Sequence, residues 1–145
     1  TRRSSDLIAA MAKALRLVFD KDAANLSKIA AMKERLFNEL SRYEDVILFS
    51  ANQDFVPNIV TFGVKGVRGE VLVHAFEEHD IYISTTSACS SKAGKPAGTL
   101  ISMGIPKSLA ETAVRISLDD DNDMEQVQQF LTIFKEIYHK TSKVR

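Results

Sequence analysis

Cys89 is the one cysteine among 145 residues, and the segment around it, Thr85 to Lys92 (TTSACSSK), contains side chains too small and polar to build an apolar pocket. A lone cysteine ordinarily packs as a small hydrophobe. Here the composition predicts an accessible thiol on a pliant loop. Such a thiol can meet a substrate and then a second protein, and Lys92 or a nearby helix N-terminus could stabilise its thiolate. No Cys-His-Asn protease context accompanies it. On loop chemistry alone, a functional thiol and an incidental one both remain open.

Other residues invite chemistry less well. His74 and His79 miss the i, i+4 spacing that aligns two ligands on one helical face, and no cysteine or paired carboxylate completes a metal set. They read as solvated or packed histidines. Gly63, Gly66 and Gly69 lack the GxGxxG order of a dinucleotide loop, and Gly94-Lys95-Pro96 lacks the upstream glycine and following hydroxyl of a P-loop. These are turn glycines. The Gly63 to Gly66 stretch (GVKG) imitates the clamp of an RNA-binding KH module, which needs a basic face. Asp119 to Asp123 (DDDND) lacks the liganding pattern and central glycine of a calcium loop, and reads as a helix cap and solvated face. Phe130, Phe134 and Tyr138 at helical spacing are core.

The chain that must position these residues carries 19 Lys and Arg against 19 Asp and Glu, a formal net charge of zero, so nothing calls for a nucleic-acid partner. Hydrophobic residues at 45% and charged residues at 26% are those of a globular chain. The length suits one domain with a packed core and no disulfide or metal staple. A lone thiol fits a reducing compartment, hence a cytoplasmic expectation. No apolar run reaches the ~18 residues of a membrane span, and no signal peptide or anchor is expected. The start at Thr1 suggests a processed, tagged or excised product.

Leu7, Met11, Leu15 and Val18 mark a first amphipathic helix, and Leu26, Ile29, Leu36, Phe37 and Leu40 a second; both must pack on something. Val46 to Phe49 and Asn58 to Phe62 read as strands, the latter introduced by Pro57 and closed by Gly63. Glu70 to Glu78 follows as a short helix, Ile81 to Ile83 as a third strand, and Ser84 to Gly98 as a loop. Leu100 to Gly104 is a short helix ended by Gly104 and Pro106, Ser108 caps another turn, and Ala113 to Leu118 is a strand. The last helix starts after the aspartate run, with Asn122 and Glu125 at capping-box spacing and an apolar stripe from Val127 to Tyr138. The order predicts an α/β chain, an α+β layer in which a small mixed or antiparallel sheet is covered on one face by helices.

Ser84 to Ser91 (STTSACSS) resembles the persulfide-forming cysteine loop of the cysteine desulfurases, members of the class V aminotransferase family. Three further segments follow in that family's order. Pro57 to Phe62 (PNIVTF) resembles its strand entering the small domain, Gly66 to Leu72 its glycine turn into a helix, and Ala113 to Leu118 (AVRISL) its Arg-Ile-Ser strand.

The resemblance implies that residues 1–145 are the C-terminal small domain of a fold type I pyridoxal-phosphate enzyme. The large cofactor-binding domain and its Schiff-base lysine would then be absent. Thr1 to Ser5 fall where the family has a phosphate contact, but the motif is broken, so no cofactor residue is assigned. Cys89 would be the catalytic nucleophile and Arg115 the group gripping the substrate carboxylate; without the family, Arg115 reads as an ordinary surface ion pair. The complete enzyme would convert L-cysteine to L-alanine, leaving a persulfide on Cys89 for a sulfur-acceptor protein in tRNA thiolation or iron–sulfur assembly. It would be a homodimer with pyridoxal phosphate bound. This chain alone is expected to hold no cofactor and to be inactive. A noncatalytic sulfur-relay or binding module, or another class V aminotransferase, is the alternative.

Overall fold

The computed structural model describes residues 2–19, 23–50, 56–85 and 98–142. Six helices occur among them: α1 (Arg2–Phe19), α2 (Ala23–Leu40), α3 (Gly69–Glu77), α4 (Gly98–Ser102), α5 (Lys107–Ala110) and α6 (Met124–Ser142). Four strands, β1 (Val46–Leu48), β2 (Ile59–Val64), β3 (Ser84–Thr85) and β4 (Ala113–Ser117), form one sheet in the order β1-β2-β4-β3. Every pairing is antiparallel. The predicted α+β layer with a small antiparallel sheet is therefore present.

Side chains alternate across a strand, and the two central strands obey that period. Val60, Phe62 and Val64 of β2 are buried together with Val114 and Ile116 of β4. They pack under Met32, Leu36 and Leu40 of α2, Leu72 and Phe76 of α3, and Phe130, Phe134 and Ile137 of α6. Aromatic geometry organises this core: Phe62 stands edge-on to Phe134 at 5.7 Å, and Phe76 stacks on Phe130 at 4.7 Å.

The opposite face is covered only in part, which corrects the expectation of helices on one face alone. Leu100 of α4 and Ala110 of α5 close over Phe49 and Ala113 in a second, smaller cluster. Glycine and alanine permit that approach. Gly63 faces Ala113 across the β2–β4 ladder, and a Cβ at Gly63 would overlap the Thr112 hydroxyl. This is also why β2 runs through Gly63 to Val64 rather than ending there: the glycine marks close packing, not a stop.

Other boundaries shift for local reasons. Ile81 to Ile83 is not a strand, because the chain is still tied to α3: Asp80 takes a left-handed φ of 58° and the Ile81 N–H donates back to the Phe76 carbonyl at 3.1 Å. Pairing begins only at Ser84. The capping box of α6 lies one residue later than its sequence signal. Asp123 Oδ1 accepts from the Gln126 N–H at 2.8 Å, and Gln126 Oε1 accepts from the Asp123 N–H at 3.3 Å. Ser108 lies inside α5, whose N-cap is Pro106, so it caps nothing.

The two leading helices diverge most from expectation. α2 buries Ile29, Met32, Leu36 and Leu40, whereas Leu7, Ile8, Met11, Leu15 and Val18 of α1 are all exposed. Among the described residues α1 does not pack its stripe on anything.

Candidate functional site

The alternation that buries Val60 and Phe62 turns Thr61 to the other face of the sheet, and the same period in β4 turns Arg115 there. Thr61 and Arg115 are register partners, and Ser84 of β3 faces Arg115 from the far side. One row, Thr61-Arg115-Ser84, thus crosses three strands at the ~4.8 Å spacing of a sheet. Main-chain bonds brace its β2 end. The Phe49 N–H donates to the Thr61 carbonyl at 2.9 Å, and Ser50 Oγ, itself buried, accepts the Thr61 N–H at 2.9 Å.

Above this row lies a cleft of about 230 Å³. Its walls are Phe49, Val56, Ile59, Leu100 and Met103, and its polar groups are Ser50, Thr61, Thr99 and Arg115. α4 supplies the wall opposite β4, and its C-terminal turn is closed by Gly104 at φ 82°, where glycine carries no steric cost. Among the described residues Arg115 is the cleft's only cation and has no ion-pair or hydrogen-bond partner. A planar guanidinium fixed on a rigid strand, beside hydroxyls and an apolar wall, suits a small carboxylate with a short side chain. The ion pair expected of an ordinary surface arginine is not found among the described residues.

The other sequence candidates lie elsewhere. Cys89 falls outside the described residues, as does Lys92. His74 is exposed and its Nδ1 lies 2.9 Å from Glu77 Oε2, an i, i+3 pair on the surface of α3. The described residues contain no group of three His, Cys, Asp or Glu side chains placed to hold a metal. No described helix is long and apolar enough to cross a membrane. A second cleft of about 330 Å³ lies between Tyr82, Ser117 and the Asn122, Gln126 and Gln129 amides, with Asp80 on its rim and no cation among its described lining residues. Thr61, Ser50 and Thr99 were not singled out from sequence. The alternation around Val60 and Phe62 was the signal for Thr61; Ser50 and Thr99 carried none.

Pyridoxal phosphate, the cofactor the resemblance implies, needs an amine for its aldehyde, a phosphate anchor and an acid facing its ring nitrogen. Among the described residues that line it, the cleft offers no lysine and no carboxylate. Its described residues do not fit the cofactor; what they can supply is binding.

A NifS/IcsS protein homolog from Lactobacillus delbrueckii subsp. bulgaricus is 44% identical over 138 residues, which are 94% of this chain and 36% of that protein. A cysteine desulfurase IscS from Serratia proteamaculans is 28% identical over 128 residues, 88% of this chain and 31% of its own. Among solved structures, the NifS-like protein from Rickettsia africae superposes with a TM-score of 0.69 at 26% identity, over 81% of this chain and 30% of that one. The chain thus spans about a third of the length of the relatives it matches. Residues 6–130 match the aminotransferase class-V family, and on that match, reaching from α1 into α6, the chain belongs to the family.

Proposed function

We propose that these residues are the small, C-terminal domain of a pyridoxal-phosphate-dependent cysteine desulfurase, in which Arg115 holds the carboxylate of L-cysteine and Cys89 receives its sulfur. The observation that carries this reading is the Thr61-Arg115-Ser84 row. The strand facing Arg115 runs directly into the Cys89 segment, and Cys89 follows Ser84 by five residues. Five residues span at most about 18 Å when fully extended. Cys89 is therefore no more than about 18 Å along the chain from the strand that faces Arg115.

In this role Arg115 forms paired hydrogen bonds to the carboxylate, and Leu100 and Met103 offer an apolar surface to the side-chain end. The Cys89 thiolate attacks the substrate sulfur; a sulfur–sulfur bond forms and the carbon–sulfur bond breaks. The electron pair released ends as a carbon–hydrogen bond of L-alanine, leaving a persulfide on Cys89. Cofactor chemistry at the substrate carbon comes from the remainder of the enzyme, and the isolated chain does not turn over. The persulfide passes to an acceptor protein, in tRNA thiolation or iron–sulfur assembly, and the working enzyme is a cytoplasmic homodimer.

The test uses a complete enzyme carrying this chain. With L-cysteine supplied, a peptide containing Cys89 gains the mass of one sulfur atom, and Cys89→Ser abolishes the gain without loss of the cofactor's visible absorbance. Arg115→Ala raises KM for L-cysteine by about tenfold or more, the loss of a charge-assisted pair. Sulfur transfer at the normal rate in the Cys89→Ser enzyme, or an unchanged KM in Arg115→Ala, defeats the corresponding role.

A further inference from the structure

We infer that Ser50 is a second ligand-binding residue of the cleft, its hydroxyl donating to the carboxylate that Arg115 grips; this rests on the substrate reading above. The end of β1 supplies the donor. Leu48 pairs with Phe62, so Phe49 opposes Thr61, and a regular antiparallel ladder would exchange two main-chain bonds between them. Only one of the two is present. The Phe49 N–H donates to the Thr61 carbonyl, but the Thr61 N–H goes to Ser50 Oγ at 2.9 Å rather than to the Phe49 carbonyl. A carbonyl only accepts, whereas a hydroxyl that takes the same bond still has a proton to give. Among the described residues that proton has no acceptor.

Placement decides what the proton serves. Ser50 is 4% exposed yet lines the cleft, so its free donor is shielded from bulk water while its acceptor side is fixed by the main chain. Thr61 and Thr99 line the cleft too, but both are more exposed, and among the described residues neither hydroxyl is held by a hydrogen bond. Ser50 is the preorganised one. Thr61 spends both its main-chain groups toward β1, which makes Thr61 and Arg115 a non-hydrogen-bonded pair with Cα atoms about 4.5 Å apart. The Ser50 oxygen and the root of the Arg115 side chain thus flank one residue, Thr61. An arginine fork fills two of the roughly four lone-pair positions of a carboxylate and leaves the others open. A hydroxyl donor beside it takes one of them. With Arg115 the only cation among the described lining residues, the cleft suits the single charge of a carboxylate better than the larger charge of a phosphate.

The test follows L-alanine formation from L-cysteine by a complete enzyme carrying this chain. Ser50→Ala should raise KM about tenfold, the size of one hydrogen bond to a charged group, and change kcat by less than about twofold. Ser50→Thr, which keeps the hydroxyl, should bring KM back to within about threefold of the parent. In an Arg115→Ala background, where the carboxylate is no longer held in place, Ser50→Ala should add less than about threefold. A Ser50 needed only to accept the Thr61 N–H would raise KM by the same factor in both backgrounds, and that result overturns the inference. So does an unchanged KM in Ser50→Ala beside a raised one in Arg115→Ala. If Ser50→Ala does not fold, Ser50→Cys replaces it, because sulfur still accepts the Thr61 N–H but donates weakly; the same rise is expected, and an unchanged KM again overturns the inference. Sulfur transfer that persists without Cys89 would defeat the sulfur-transfer reading and leave these KM values standing.

Discussion

The two faces of the central strands carry side chains only one residue apart in sequence, yet they answer to different demands. Val60, Phe62 and Val114 are fully shielded beneath α2, α3 and α6, whereas Thr61 and Arg115 line a cleft. The period of a β-strand is enough to separate them. A consequence is that stability and ligand binding can be altered almost independently, because a change on one face leaves the other's contacts in place.

The sharpest division should appear at Phe134, which is 0% exposed and touches Phe62, Phe76 and Tyr43. Phe134→Ala should cost about 3–5 kcal/mol in urea unfolding; a cost below about 1 kcal/mol would mean the helix-covered face does not hold the fold. Gly63→Ala comes next, at about 1–3 kcal/mol, because its new Cβ meets the Thr112 hydroxyl. Adding Thr112→Ala should recover part of that loss, and strict additivity of the two changes would show that the close approach is not the cause.

At the exposed guanidinium of the cleft the expectation reverses. Arg115→Ala should change stability by no more than about 0.5 kcal/mol, since the side chain is exposed and has no partner among the described residues. A larger change by the same unfolding measurement would make Arg115 a structural residue instead.

The smallest effect is at the edge of the main core. Burial, then the charge of Glu39, then Tyr138, raise the Tyr43 phenol above its ordinary value near 10, with Arg42 opposing. The folded chain therefore binds this proton more tightly than the unfolded one. Its contribution is complete below about pH 10 and is lost as pH climbs through the raised value. Burial lowers Lys33 instead, which adds stability as pH rises through its own titration and partly offsets the loss. Tyr43→Phe should thus resist alkali better than the parent when denaturant midpoints are compared at pH 8 and about pH 10.5. Parallel curves would sever Tyr43 from the alkaline limb.

The core face was legible because its signals are redundant. β2, β4 and α6 each combine a clear period with breakers at their ends, and local and tertiary demands agree there. Gly63 was misread as a stop because a glycine required by tight packing looks the same in sequence as one required by a turn. The stripe of α1 was read correctly as apolar, but a pattern tells how wide a face is and not which body covers it. Arg115 stood out only through its resemblance to a family strand. Thr61 was implied by the period of β2, whereas Ser50 and Thr99 join the cleft through tertiary folding that no local pattern encodes. Cys89 was found by the poverty of its neighbours, a signal about exposure that says nothing of where the thiol points.

The proposal that Cys89 receives the sulfur of L-cysteine is tested most directly by mass spectrometry of the Cys89 peptide from a complete enzyme carrying this chain, after a single turnover of L-cysteine. One added sulfur on Cys89, lost by reduction and missing in Cys89→Ser, is the predicted result. L-Alanine formed at the normal rate with no sulfur ever resident on Cys89 would contradict it.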